Sequence, residues 1–154
     1  MGRLLGIDYG ERRIGLAVSD PTGTIAQPLP PLLRRRGKRP PLARLVTLAR
    51  EHDVAAFVVG WPLDLEGEEG PRAAEVRRFA ERLGARAGLP VHLWDERLST
   101  ARAERFLREM GIHSTESRAK GRADTLAALL ILQAYLDANP GPNPQANPDP
   151  DPGP

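Results

Sequence analysis

Two short apolar runs open the chain, residues 3–9 and 13–19, each rich in Leu, Ile and Val. The Tyr9-Gly10-Glu11-Arg12 link between them reads as a hairpin turn. A third strand-like run near 24–33 carries Pro28, Pro30 and Pro31, and proline cannot donate to a ladder, so it is expected at a sheet edge. Pro41 then opens a helix in which Leu42, Leu45, Val46 and Ala49 recur at helical spacing. Residues 54–59 are apolar without interruption, the pattern of a strand covered on both faces. Pro71 starts a second helix with Ala73, Val76, Phe79, Ala80 and Leu83 on one stripe. A short strand at 90–94, a helix from about 99 to 110 and a last helix over 124–138 complete the order. The last helix is apolar nearly all round and is therefore expected to be buried. Hairpin strands followed by strands alternating with helices predict an α/β fold, a mixed sheet with helices on both faces. In that plan the ends of the first and fifth strands and the start of the last helix can meet at one edge of the sheet.

The acidic residues at those ends change the picture. Asp8 interrupts an apolar strand, and an ionised carboxylate drawn out of water must be paired, hydrogen-bonded or bound to a metal. The plain alternative is an Asp that caps a turn. Asp95 and Glu96 follow the fifth strand and point to opposite sides, because strand side chains alternate; only one can join Asp8, and spacing does not say which. Asp124 opens the buried helix, where capping free N–H groups would by itself account for it. Taken together, three carboxylates from distant segments form a hard-oxygen set for Mg²⁺ or Mn²⁺. Two such ions roughly 3.5 to 4 Å apart suit in-line displacement at phosphate, which points to phosphodiester hydrolysis. His52, His92 and His113 show no ligand spacing, no serine has a nucleophile-elbow context, and the glycines form no Walker-type loop.

Composition narrows the classes further. A chain of 154 residues fits one domain with a real core, expected over residues 1–138. From Asn139 on, Pro alternates with Gly, Asn, Asp and Gln, so residues 139–154 are read as a disordered Pro-rich tail. The tail holds Asp149 and Asp151 and no basic residue, so removing it takes the formal charge from +2 to +4. A mildly basic body suits an anionic partner. The absence of cysteine removes disulfides, thiolate metal sites and cysteine nucleophiles together. No apolar run has the length of a membrane span, and the first strand starts at residue 3, so a cytoplasmic protein that does not engage a membrane is expected.

Four separated motifs then read as one pattern: Gly6-Ile7-Asp8-Tyr9-Gly10, Val58-Val59-Gly60-Trp61-Pro62-Leu63, Asp95-Glu96-Arg97-Leu98-Ser99-Thr100 and Asp124-Thr125-Leu126-Ala127-Ala128. Over residues 3 to about 137 the chain resembles the YqgF (RuvX) family of RNase H-like nucleases. The resemblance implies an RNase H-like fold and a catalytic, metal-binding trio carried over to Asp8, Glu96 and Asp124, which selects Glu96 over Asp95. It implies a nuclease maturing the 5′ end of the small-subunit ribosomal RNA precursor or, alternatively, a Holliday-junction resolvase acting on branched DNA, as monomer or homodimer. A non-catalytic nucleic-acid-binding module is disfavoured by the presence of all three acids. An ATP-binding domain of the actin and sugar-kinase type would need a second, duplicated domain. Related resolvases carry a further acid one helical turn after the last, where this chain has Ala127, so a second metal would be held weakly or by substrate oxygens.

Substrate contacts are expected from Gly10, from Arg97, and from Arg118, Lys120 and Arg122 in a basic loop just before Asp124. Arg97 either holds the scissile phosphate or pairs with a neighbouring acid. The run from Arg34 to Arg39 is a second, more remote basic contact, and Arg102, Arg105 and Arg108 share a solvated helix face. Trp61 either stacks on a base or packs under its loop, and Ser99 or Thr100 caps the helix that follows.

Overall fold

The computed structural model describes residues 2–34, 39–98, 101–109, 111 and 123–140; the side chains of Leu107 and of residues 123–125 fall outside that set. So do Ser99 and Thr100, the 35–38 part of the basic cluster, the Arg118, Lys120 and Arg122 loop, and residues 141–154 of the expected tail. The elements are β1 (Arg3–Tyr9), β2 (Arg13–Ser19), β3 (Ala26–Leu33), α1 (Leu42–Glu51), β4 (Val54–Trp61), α2 (Pro71–Ala87) and β5 (Val91–Asp95). A single 3-10 turn, Glu96–Leu98, leads on to α3 (Ala101–Glu109), and α4 is Ala123–Ala138. The five strands form one sheet in the order β3-β2-β1-β4-β5. The hairpin pairs β1–β2 and β2–β3 are antiparallel, while β1–β4 and β4–β5 are parallel, which is the mixed sheet expected from the sequence.

The prolines of β3 lie on an edge strand, and the ladder to β2 shifts register between Ile14 and Leu16, where Pro30 and Pro31 stand opposite. Alternation along β1 sorts its residues between two cores. Leu5, Ile7 and Tyr9 join Leu45, Phe57, Val76 and Phe79 on the face covered by α1 and α2. On the other face Val58 and Ala17 pack against Ala128, Leu129, Ile131, Leu132 and Leu136 of α4. Each fully buried Leu or Phe contributes about 1.5–3 kcal/mol by leaving water. The β1–α4 approach is close because Gly6 has no side chain: a Cβ there would stand 2.7 Å from Leu132 Cβ. Helix α4 is buried as its composition requires, with one polar exception. Gln133, 1% exposed, accepts the Ala26 N–H at 2.9 Å and donates to Thr24 O at 3.0 Å and Asp137 Oδ1 at 3.1 Å. Among the described residues no helix is long and apolar enough to cross a membrane.

Candidate active site at the end of the sheet

Asp8 is the penultimate residue of β1. Because Ile7 and Tyr9 face α1 and α2, Asp8 shares with Gly6 the face covered by α4. Its register partner on β2 is Gly15. On the other side, one step beyond the Ile7–Val59 pair, stands Gly60 of β4. Asp8 thus lies between two glycines of the neighbouring strands.

Gly60 pairs in turn with Trp94 of β5, and the chain turns at Glu96 two residues later. The Glu96 side chain folds back over β4: its Oε2 lies 2.7 Å from where a Cβ on Gly60 would stand, beside Ile131 of α4. Burial pushes the Glu96 carboxyl above its usual range; Arg72 acts against that shift and Asp95 adds to it. Asp95 goes the other way. Its carboxylate accepts from Arg97 Nε at 3.0 Å and Nη2 at 2.7 Å and from the Arg97 backbone N–H at 2.9 Å, and these bonds hold its carboxyl below the usual range. The two neighbours diverge as strand alternation requires, with β5 running one residue beyond its expected end.

Arg97 is therefore an ion-pair partner of a neighbouring acid, and its Nη1 also donates to Leu65 O at 3.3 Å in the loop after β4. Trp61 packs against the core on the α1 and α2 face and donates from Nε1 to Ala73 O of α2 at 3.2 Å. Arg102, Arg105 and Arg108 are exposed on α3, as expected.

The side chain of Asp124 lies outside the described residues, but the path of its helix does not. Gln133 meets Ala26, whose partner Ser19 takes the Leu4 N–H at 2.8 Å near the base of β1. Ala128 O lies 3.3 Å from the Cβ position of Gly6, farther along the strand. Falling residue numbers in α4 therefore climb toward the end of β1. Asp124, the second residue of α4, therefore lies in the part of the helix that runs toward the end of β1.

Among the described side chains no group of three His, Cys, Asp or Glu gathers as a metal site. The donors that do share one face, Asp8 and Glu96, are hard carboxylate oxygens and fit Mg²⁺ or Mn²⁺ better than softer ions. A cation there would also relieve the burial cost at Glu96. Of the histidines, His52 caps α1 and His92 stacks at 5.6 Å on Tyr135, away from both acids.

Three features escaped the sequence reading. Gly15 and Gly60, which flank Asp8, and above the second of which Glu96 lies, carry no chemistry of their own, and their placement is visible only through strand register. Gln133 was signalled by a lone amide in an apolar helix. The third is a set of side chains at the end of β1, in which Arg34 and Arg72 donate to the carbonyls of Gly10 and Tyr9.

A family model described as "RuvX: Holliday junction resolvase" matches residues 2–138. The chain is 49% identical over 138 residues to a "Putative pre-16S rRNA nuclease" of Symbiobacterium thermophilum, covering 88% of this chain and 92% of the relative. It is 46% identical to proteins of the same name from Syntrophus aciditrophicus, over 88% of this chain and 89% of that one, and from Myxococcus xanthus, over 91% of each. Among solved structures it is similar in fold to Thermus thermophilus RuvC in complex with a Holliday junction substrate. That match has a TM-score of 0.55 at 19% identity and covers 91% of this chain and 97% of that one. RuvC alone matches with a TM-score of 0.55 at 18% identity, over 89% and 96%.

Proposed function

This chain belongs to the RuvX family, and from that premise we propose that it is a divalent-metal-dependent nuclease that matures the 5′ end of the pre-16S ribosomal RNA. The observation that carries the proposal is the placement of the Glu96 carboxylate over Gly60, on the face and at the level of Asp8, at the end of the sheet that α4 approaches with Asp124. Asp8, Glu96 and Asp124 hold Mg²⁺ or Mn²⁺ as the catalytic trio. When bound, the ion polarises a phosphoryl oxygen and makes water more acidic. The chain's own groups orient the substrate around it. Gly60 lets the Glu96 carboxylate turn in over β4, and Gly10 lets the backbone of the substrate approach the first turn. Arg118, Lys120 and Arg122, just ahead of Asp124 in sequence, hold phosphates without reading bases. Arg97 steadies the turn that presents Glu96 through its pair with Asp95.

Residues 1–138 are the nuclease domain, in keeping with the extent of the family match, and residues 139–154 are a tail outside it. The protein works in the cytoplasm as a monomer or homodimer. The description of the matched family favours a second reading, cleavage of four-way DNA junctions. Offering purified protein with Mg²⁺ or Mn²⁺ both a precursor RNA and a four-way DNA junction separates the two. Cleavage of the RNA alone is the expected result. Cleavage of the junction alone would replace the first reading by the second.

A further inference from the structure

The parallel ladder between β1 and β4 stops at Ile7–Val59, yet β1 continues through Asp8 to Tyr9. Backbone carbonyls beyond the last ladder rung still need donors. Two guanidinium groups supply them here. Arg72, at the second position of α2, donates from Nη2 to Tyr9 O, and Arg34, just past β3, donates from Nη1 to Gly10 O at 2.9 Å. The carboxylate of Glu75 bridges the two arginines, one oxygen to each: Oε2 to Arg34 at 3.1 Å and Oε1 to Arg72 at 3.0 Å. These contacts hold the Glu75 carboxyl below its usual range against the opposing effect of burial. The Tyr9 ring stacks on Phe79 at 3.9 Å and lies under Arg34 at 4.2 Å, and the Arg34 backbone N–H donates to Arg12 O at 2.7 Å.

This arrangement is more than a surface ion pair. An exposed pair contributes little, but Arg34 has only 15% of its side chain exposed, and each arginine spends one fork tip on a main-chain carbonyl and the other on Glu75. A planar fork can hold two acceptors in fixed directions, which a lysine ammonium cannot do in the same way. The two carbonyls belong to the residues that directly follow Asp8, and the Gly10 N–H closes back on Asp8 O at 3.0 Å. Arg72 is also near enough to Glu96 to act on its charge. Side chains from two distant places in the chain, the residue after β3 and the first turns of α2, therefore converge on the stretch that directly follows Asp8.

We propose that Arg34, Glu75 and Arg72 form a clamp that fixes the end of β1, making them positioning residues that aim Asp8 at the metal site. The clamp rests on the proposed function for its consequence but not for its existence, and two readouts keep them apart. The variants are Arg72→Met, Arg72→Lys and Glu75→Gln, with Asp8→Asn as the control. The first readout, amide hydrogen exchange at Gly10, needs no metal. Arg72→Met is expected to speed it at least about tenfold relative to amides in the centre of β1, because the change opens one end of the strand without loosening the whole. The second is the affinity for Mn²⁺ alone, measured by calorimetry. Removing a group that orients a metal ligand weakens binding by roughly 10- to 100-fold, and Arg72→Lys should recover only part of that loss. Gly10 exchange that rises no more than that of central β1 overturns the clamp. So does Mn²⁺ affinity unchanged in Arg72→Met while Asp8→Asn abolishes it. Mn²⁺ binding that survives Asp8→Asn removes instead the proposed metal site, and the clamp is then decided by the exchange at Gly10.

Discussion

Glu96 and Gly60 share one space: the Glu96 carboxylate occupies the position that any side chain at residue 60 would need, with Oε2 2.7 Å from the Cβ point. The acid can turn inward only because β4 carries no side chain there.

Gly60→Ala tests that dependence. The new methyl would meet Glu96 Oε2 and, at 2.5 Å, Ile131 Cδ1, both ends of side chains that can swing away. The fold should survive with a loss of about 1–3 kcal/mol from overpacking, while Glu96 is displaced and metal affinity and cleavage fall together. Chemical denaturation beside Mn²⁺ titration checks the split. An unaltered Mn²⁺ affinity would mean that Glu96 need not lie over Gly60.

Glu96 itself should cost the metal-free protein stability near neutral pH. Its folded-state carboxyl is raised above the ordinary value of 4.5 by burial, so between that value and the folded one the native chain binds more protons than the unfolded chain. Stability from this group is highest at low pH and falls as pH rises through that window. Asp95 and Glu75 are shifted downward and act in the opposite sense, so the difference between wild type and variant isolates the effect. Glu96→Gln is expected to raise the melting temperature of metal-free protein at pH 7, to narrow that gain below about pH 5, and to abolish the upward shift that Mn²⁺ gives the wild type. Thermal melts at several pH values, with and without Mn²⁺, read all three.

Gln133→Leu makes α4 more apolar and should still destabilise the protein. It strips the buried Ala26 N–H of its acceptor, while the exposed Thr24 carbonyl can turn to water, and a buried group left unsatisfied costs about 1–3 kcal/mol. Thermal unfolding should show a loss of roughly that size, with Mn²⁺ affinity unchanged because residue 133 lies toward the base of β1.

Much of this was legible in the sequence. The apolar periods of α1, α2 and β4 are strong local signals, and the prolines of β3 marked an edge strand because their cost in a ladder is local too. Asp8 stood out because a carboxylate in an apolar strand needs an explanation. The choice between Asp95 and Glu96 was not legible from spacing, since alternation gives them opposite directions without saying which is inward; in the structure Glu96 lies over Gly60 and Asp95 pairs with Arg97. The clamp at β1 was hidden because Arg34 is far in sequence from Arg72 and Glu75 of α2 and sits at the start of an ordinary-looking basic run.

Cleavage of precursor RNA by Asp8→Asn at saturating Mg²⁺ decides whether Asp8 is a ligand of the proposed metal. The substitution removes a charge and almost no volume, so circular dichroism should match that of the wild type. If Asp8 holds the metal, the rate should fall on the order of 10³-fold, equivalent to several kcal/mol of lost transition-state stabilisation. If Asp8 only caps a turn, Asn keeps most of its hydrogen bonding and the change costs well under about 1 kcal/mol. A collapse of turnover in a folded protein is the expected result; turnover comparable to wild type would contradict the account.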